Sequence, residues 1–415
     1  MATIVMTTRG TFGDHFPFMM VGQELKRRGH RVRFGINRPM QAFAEEFDLE
    51  CFDCGPVMGI EEAQEGAACW NYWNPPEPSC HVGNLRVAET YRSLIQVCGE
   101  ADLLICASNF FMGAIIQHVL HVPLISICLA PAQVCAPMKG PFGVDTDNSK
   151  LAGWREIFEE MHKRFYRELE EIRQNLLDLP NIMFTDQWWE DHLISRNLVL
   201  AASPHFAKPV GKYDGALTAG FIFYEGPQWR EWCPDPDLEL FVEQKPSPLV
   251  LSFSSLPLQD PRRVMEIHAA AAQKLGRRLL VHKGWAGFEM EHIPSNSEKD
   301  GIMLVDFLPH DWVFSRAAAV IHHGGTGTTG RALRNGCPML IEPYGNDQFF
   351  NARRVLELTV GAAMHPFELT AEGLARVLEE KVLRAQYRRN AEALKEKISA
   401  EDGIQTTCDF VEGMV

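Results

Sequence analysis

Along the first 130 positions, short unbroken apolar runs alternate with longer stretches of helical spacing. Residues 3–8 read as a strand, and a glycine-containing turn follows. An amphipathic helix then runs from about Phe16 to Arg28 and is stopped by Gly29-His30 before a second strand over 31–36. A strand over 102–106, a helix over 110–120 and a strand over 123–127 repeat the pattern. Strand–helix–strand alternation predicts a parallel sheet with helices on both faces. The same grammar restarts at 248–253, with a helix over 261–275 and strands near 278–282, 302–305, 319–321 and 338–341. Between the halves lies the Pro- and Trp-containing stretch 226–248, which reads as an interdomain connection. A long amphipathic helix is expected over 153–179, carrying Trp154, Ile157, Phe158, Phe165 and Tyr166 as apolar positions. The C-terminus is helical in pattern from Thr370, with a break near 400–403.

Composition narrows the picture in a few places. A chain of 415 residues exceeds the size at which one core usually splits, so two domains are expected. With 46% hydrophobic and 23% charged residues it has an ordinary globular make-up. Its net charge of −14 argues against a nucleic-acid or anionic-membrane surface, since both reward clustered Lys and Arg. There is no uninterrupted apolar run of about 18 residues; the longest apolar region, 110–128, is broken by Gln117, His118, His121 and Pro123. The first residues enter a strand without a basic or signal-like segment, so a cytoplasmic protein is expected. Eleven scattered cysteines suit reduced thiols, and Cys51-Phe52-Asp53-Cys54 has no second pair to complete a zinc site.

Candidate chemistry concentrates in His322-His323-Gly324-Gly325-Thr326-Gly327-Thr328-Thr329-Gly330, followed by Asp347-Gln348. A buried strand precedes this loop, and Thr329 to Arg334 reads as the first turns of a helix. A glycine-rich strand-to-helix turn lets backbone N–H groups converge on a phosphate. His323 adds a donor that, if protonated, also neutralises anionic charge. The loop lacks the Lys-Ser/Thr of a Walker-type phosphate loop, and it lies too late in the chain for the usual dinucleotide turn. No Asp-x-Asp or His-x-x-x-His cluster supplies a metal site.

The block His323 to Thr328, then Gly336-Cys337-Pro338, Pro343, Asp347-Gln348 and Asn351-Ala352, resembles the donor signature of nucleotide-sugar-dependent glycosyltransferases of the GT-B fold. Leu308-Pro309-His310-Asp311-Trp312-Val313-Phe314, Gly284-Trp285, Gly13-Asp14-His15-Phe16-Pro17 and Gly29-His30-Arg31-Val32 are similar to segments of the sterol glucosyltransferase-like branch. Antibiotic glycosyltransferases share the pattern.

The resemblance implies an α/β, GT-B architecture: two facing Rossmann-like domains with a deep interdomain cleft. It implies an acceptor-binding domain over 1–230, a linker over 231–247 and a nucleotide-sugar domain over 248–399. A C-terminal helix over 400–415 would pack back on the first domain. His323, Gly325, Thr326, Gly327 and Thr328 would hold the donor diphosphate with Ser255, although the family usually has glycine where this chain has Ser254. Trp285, Phe307, Leu308 and His310 would surround the base and ribose, and Asp347 and Gln348 would bond the sugar hydroxyls.

By the same resemblance the base falls on Asp14, with His15 as the second candidate. An ordinary Asp has a pKa of about 4, so positioning would have to supply most of the rate. The acceptor side is read from aromatic and Met residues on loops of the first half: Phe12, Trp70, Tyr72, Trp73, Phe110, Phe111, Met112, Met138 and Phe142, together with Trp188-Trp189. Such residues suit a large apolar or aromatic acceptor.

The activity implied is inverting, metal-independent transfer of a hexose from a nucleotide sugar to a hydroxyl of a lipophilic or aromatic small molecule. UDP-glucose is the first candidate donor and a TDP-sugar the second. No other cofactor, no nucleic-acid partner and no transmembrane segment are expected, and the oligomeric state is left open. A catalytically silent nucleotide-sugar-binding protein is the reading from a different class.

Overall fold

The computed structural model describes residues 1–55, 59–65, 86–135, 192–294, 301–345 and 347–415. The expected helix over 153–179 therefore lies outside the described residues, as do Trp70, Tyr72, Trp73, Met138, Phe142 and Trp188-Trp189.

The short apolar runs of the first half become β1 (Thr3–Thr7), β2 (Arg31–Ile36), β3 (Glu50–Asp53), β4 (Leu103–Ala107), β5 (Leu124–Cys128), β6 (Leu198–Leu200) and β7 (Leu217–Thr218). They form a parallel sheet in the order β3-β2-β1-β4-β5-β6-β7. In the second half, β8 (Leu249–Ser252), β9 (Leu279–His282), β10 (Ile302–Val305), β11 (Ala319–His322), β12 (Met339–Ile341) and β13 (Gly361–Ala363) form a parallel sheet in the order β10-β9-β8-β11-β12-β13. Strands covered on both faces read as continuous apolar runs rather than alternating ones. Ile4, Val5 and Met6 of β1, and Leu249, Val250 and Leu251 of β8, are accordingly buried.

In each sheet the direction of strand progression reverses at one place, beside β1 in the first and beside β8 in the second. A crevice opens at such a switch point, beyond the carboxyl ends of the strands. The loop after β1 carries the Asp14 segment, and the loop after β8 carries Ser254-Ser255. The glycine-rich turn follows β11, the neighbour of β8.

The halves share a core. Phe206 and Phe221 from the first half cluster with Leu333 and Phe350 from the second. Phe206 is fully buried, with ring centroids 5.7 Å from Phe221 and 6.5 Å from Phe350. Burying a side chain of this size contributes about 1.5–3 kcal/mol. At the chain end, the Gly403–Glu412 helix returns to the first half, where Cys408 and Val411 enter its core. Arg28 closes that contact with Nη1 to Asp409 at 2.7 Å and to Glu412 at 2.6 Å, and with Nε to Glu24 at 2.9 Å.

Burial pushes the Cys51 thiol up to about 11 and the Cys54 thiol up to about 12, so both are neutral packing groups. Among the described residues no helix is long and apolar enough to cross a membrane.

Candidate active site between the two sheets

The first helix runs Phe12–Arg27, four residues earlier than the pattern predicts. Its start is set by Thr11, whose backbone N–H donates to Asp14 Oδ2 at 2.9 Å. Asp14 thus lies in the first helical turn, where a carboxylate faces the positive end of the helix. Gly10 makes room for it: its φ is +126°, and a Cβ there would sit 2.0 Å from Asp14 Oδ2. A side chain at position 10 would meet both the left-handed backbone and the carboxylate.

Asp14 is a strong proton acceptor for an aspartate. Burial is the main cause, raising its pKa to about 7. The Thr11 N–H opposes the rise, the like charge of Asp347 adds to it, and Arg9 opposes it again. Asp347, whose charge adds to the rise, belongs to the other half of the chain.

His15 is not an accessible base, which corrects its listing beside Asp14. It is fully buried, its ring centroid lies 6.4 Å from that of Phe34, and Nδ1 is 3.1 Å from Thr11 O. Burial lowers its pKa to about 4. One residue along a helix turns the side chain by about 100°, which takes His15 from the crevice into the sheet.

Across the crevice, β11 ends in His322 and the Thr326–Arg334 helix begins directly after Gly325, three residues before the predicted start. Gly324 has a φ of +95°, and a Cβ there would lie 2.6 Å from Ile341 Cγ2. The early start brings Thr326, Gly327 and Thr328 into the first helical turn, whose amides have no intrahelical acceptor. Burial lowers the His323 pKa to about 4, so the imidazole is neutral and offers an N–H rather than a charge. Of the two roles read for His323, the ligand-free site favours the hydrogen-bond donor over the neutralising charge. His322 Nδ1 accepts from Gly324 N–H at 3.1 Å, which braces the turn from behind.

Asp347 is held by two donors. Thr326 Oγ1 donates to Asp347 Oδ2 at 2.7 Å and Asn351 Nδ2 donates to the same oxygen at 3.0 Å. Asn351 Nδ2 also reaches Gly324 O at 2.8 Å and Thr326 Oγ1 at 3.1 Å. The glycine-rich turn and the start of the Gln348–Glu357 helix are therefore one hydrogen-bonded unit. Burial raises the Asp347 pKa, while Thr326 and Asn351 oppose the shift. Gln348 is buried, and its Oε1 accepts from Tyr344 N at 2.7 Å and Gly345 N at 3.0 Å. Its carbonyl shapes the loop, which leaves the amide N–H₂ as the group able to meet a sugar.

Of the residues expected around a base, Phe307 is 38% exposed, with its ring 6.0 Å from Trp229. His310 is buried 5.9 Å from Trp229 and stacked 4.8 Å from Phe314. The side chain of Leu308 is core, a correction that leaves only its backbone for a ligand. Trp285 completes the expected group. It is buried with its ring 5.1 Å from Phe12, so it forms a contact between the halves.

On the acceptor side, Phe12 is part-buried against Phe16 at 5.1 Å and Phe43 at 5.4 Å. Phe110, Phe111 and Met112 belong to the core of the first half, which corrects their assignment to an acceptor wall. Phe111 instead lies under Arg9, whose guanidinium is 6.0 Å from the ring centroid.

Gly10, Thr11 and Trp229 carry no role in the sequence reading, and Asn351 enters it only as part of the donor-like block. Asn351 carried a usable signal, since it is four residues after Asp347 on one helix face. Trp229 carried none: it was read as part of the connecting stretch, and only the fold sets it under Arg331, whose guanidinium is 4.6 Å from its ring. The Ser255 hydroxyl was expected at the diphosphate. It lies 2.7 Å from Thr11 Oγ1, joining the two switch-point loops. Ser254 has a φ of 52°, the left-handed conformation that costs a residue with a Cβ about 1–2 kcal/mol. Glycine, usual at this position in the resembling family, adopts it freely. Among the described residues no group of three or more His, Cys, Asp or Glu side chains gathers at metal-binding spacing.

With this geometry established, comparison with known proteins is informative. Residues 279–408 match the family described as erythromycin biosynthesis protein CIII-like, C-terminal domain. A sterol 3-beta-glucosyltransferase of Arabidopsis thaliana is 26% identical over 434 residues, covering 97% of this chain and 64% of that protein. A sterol 3-beta-glucosyltransferase of Saccharomyces cerevisiae is 33% identical over 444 residues, covering 98% of this chain and 34% of that protein. The chain thus spans about two thirds of the plant relative and about one third of the yeast relative. Among solved structures, the glycotransferase of kitacinnamycin superposes with a TM-score of 0.69 at 17% identity, covering 100% of this chain and 99% of that one. Glycosyltransferase VinC in complex with DTDP superposes with a TM-score of 0.64 at 18% identity, covering 99% of each chain.

Proposed function

The chain belongs to the GT-B glycosyltransferases, related to sterol glucosyltransferases and antibiotic glycosyltransferases, and on that footing we propose that it is an inverting, metal-independent hexosyltransferase. The donor is a nucleoside diphosphate sugar, UDP-glucose first, and the acceptor is a hydroxyl on a lipophilic or aromatic small molecule. The observation that carries the reading is the glycine-rich turn bonded to Asp347 through Thr326 and Asn351, together with Thr11, which holds Asp14 Oδ2 and lies 2.7 Å from Ser255 of the other half.

Asp14 takes the acceptor proton while the acceptor oxygen forms a bond to the anomeric carbon. The bond from that carbon to the phosphate oxygen breaks, and its electron pair leaves with the nucleoside diphosphate. Attack from the side opposite the leaving group inverts the anomeric centre. A base with a pKa near the working pH maximises this transfer. His323 N–H and the first-turn amides of the Thr326–Arg334 helix meet the developing diphosphate charge. Asp347 accepts from donor-sugar hydroxyls, held in place by Thr326 and Asn351. Phe307 and Trp229 flank the base.

A TDP-sugar donor is the second reading, supported by the likeness in fold to glycosyltransferase VinC, whose structure holds DTDP. A panel of UDP- and TDP-sugars, followed by nucleotide release with and without acceptors, separates the two. Nucleotide binding by calorimetry with no transfer over a broad acceptor panel would instead favour a silent binding protein. An unchanged anomeric configuration in the product, read by NMR, would overturn inversion.

A further inference from the structure

The loops after β1 and β8 are the two switch-point loops, and their tips touch. Thr11 Oγ1 lies 2.7 Å from Ser255 Oγ, a pair separated by 244 positions in sequence. Beside it, the Phe12 ring is 5.1 Å from Trp285, and Trp285 N–H donates to Ser254 O at 2.7 Å. The 11–12 turn of one half is thus gripped by the 254–255 and 285 segments of the other. Thr11 also faces its own half, since its backbone N–H holds Asp14 Oδ2 at 2.9 Å. A single residue therefore touches both the base and a hydroxyl of the opposite half.

We propose that Thr11 is a positioning residue that couples donor binding to the base: a donor diphosphate accepting a hydrogen bond from Ser255 leaves the Ser255 oxygen to accept from the Thr11 hydroxyl, which fixes the turn that orients Asp14. The inference rests on the donor-site reading given above. A hydroxyl donates one hydrogen bond and accepts up to two. Between two hydroxyls either oxygen can be the donor, so without a ligand the direction is undetermined. A phosphate oxygen only accepts. Its arrival forces Ser255 to donate outward and Thr11 to donate to Ser255, giving a directed path from phosphate to Ser255 to Thr11 to Asp14. No covalent bond changes along this path, and Thr11 itself does not touch the reacting atoms.

The test compares Thr11→Val, Thr11→Ser, Ser255→Ala and the double variant Thr11→Val/Ser255→Ala with the wild type. Thr11→Val keeps the branched shape and the backbone N–H but removes the hydroxyl. Steady-state kcat and donor KM are measured with acceptor, and free UDP and TDP dissociation constants by calorimetry. A neutral hydrogen bond is worth about 1 kcal/mol, which corresponds to a change of about fivefold. Thr11→Val should lower kcat by about that factor with nucleotide affinity held within about twofold, and Thr11→Ser should restore it. Ser255→Ala should lower both affinity and kcat, and adding Thr11→Val should lower kcat no further. A merely structural role for Thr11 would not show this split. Wild-type kcat in Thr11→Val, or effects that multiply in the double variant while nucleotide binding persists, would overturn the coupling alone. Absence of nucleotide binding in the wild type would overturn the donor-site reading and the coupling with it.

Discussion

At the carboxyl end of β1 a turn holds one carboxylate and raises its pKa to about 7. Around the carboxyl ends of β9 and β11 the equivalent region gathers His282, His310, His322 and His323. Burial first, and for His310 also the Arg331 guanidinium, keeps these imidazoles neutral. The backbone device is the same in both places: a parallel strand, a glycine at positive φ and a helix start. What differs is which charge state the surroundings penalise. Desolvation disfavours the charged form of any group, so it turns an aspartate into a better proton acceptor and a histidine into a neutral donor. In the proposed mechanism one scaffold thus supports a base on one side and an anion grip on the other through the choice of side chain alone.

The comparison breaks most sharply at Asp14. Asp14→Asn keeps an oxygen for the Thr11 N–H but removes the base, so transfer at saturating donor should fall by about 10²–10⁴-fold with nucleotide affinity unchanged. Turnover assays beside calorimetry check it, and wild-type turnover would remove Asp14 from the mechanism. On the opposite side, His323→Ala should weaken nucleotide binding by about tenfold, the loss of one hydrogen bond to a charged group. Titration of UDP and TDP reads this directly, and unchanged affinity would move the anion grip elsewhere.

A finer probe is pH. Asp14 acts as a base only when deprotonated, so kcat/KM should rise with pH through a midpoint near 7. Asp347→Asn removes a like charge that raises the Asp14 pKa, so the midpoint should move to lower pH even though overall activity drops. A midpoint unchanged in this variant would mean that the two carboxylates do not interact.

The smallest effect is expected far from the crevice, where the chain end is tied to the first half. Arg28→Ala should lower Tm by about 1–3 °C at neutral pH, because these ion pairs are partly exposed. The Arg27 hydrogen bond above all, opposed by burial and assisted by Arg28, lowers the Glu24 pKa from 4.5 to about 2. A depressed carboxylate pKa contributes stability that is fully present above 4.5 and disappears as pH falls through about 2. The Tm difference between Arg28→Ala and the wild type should therefore shrink below pH 4, as calorimetric melts would show.

The backbone of the proposed donor side was legible because its information is local. Strand, glycines, helix and the Asp347-Gln348 pair follow one another within a short stretch, and each fits its backbone role. The acceptor side resisted for a physical reason. Phe110 and Phe111 have the composition expected of an apolar pocket wall, but the same composition builds a core, and no periodicity distinguishes the two. Leu308 misled in the same way. Helix starts at Phe12 and Thr326 were placed late because the turns before them are rich in residues with poor helix propensity, and tertiary hydrogen bonds outweigh that preference.

Taken by itself, the order of apolar runs, glycines and polar residues determined two parallel α/β halves, the glycine-rich strand-to-helix turn at Gly324–Thr328 and the candidacy of Asp14. Only the tertiary structure decided that Asp14 carries a raised pKa, that His323 is neutral and that His15 faces the core. It also set Trp285 against Phe12 and Thr11 against Ser255. Local pattern encodes which face of an element is apolar. Ionisation and contact depend on what residues hundreds of positions away bring alongside, and burial or a neighbouring charge arises only once both halves have packed.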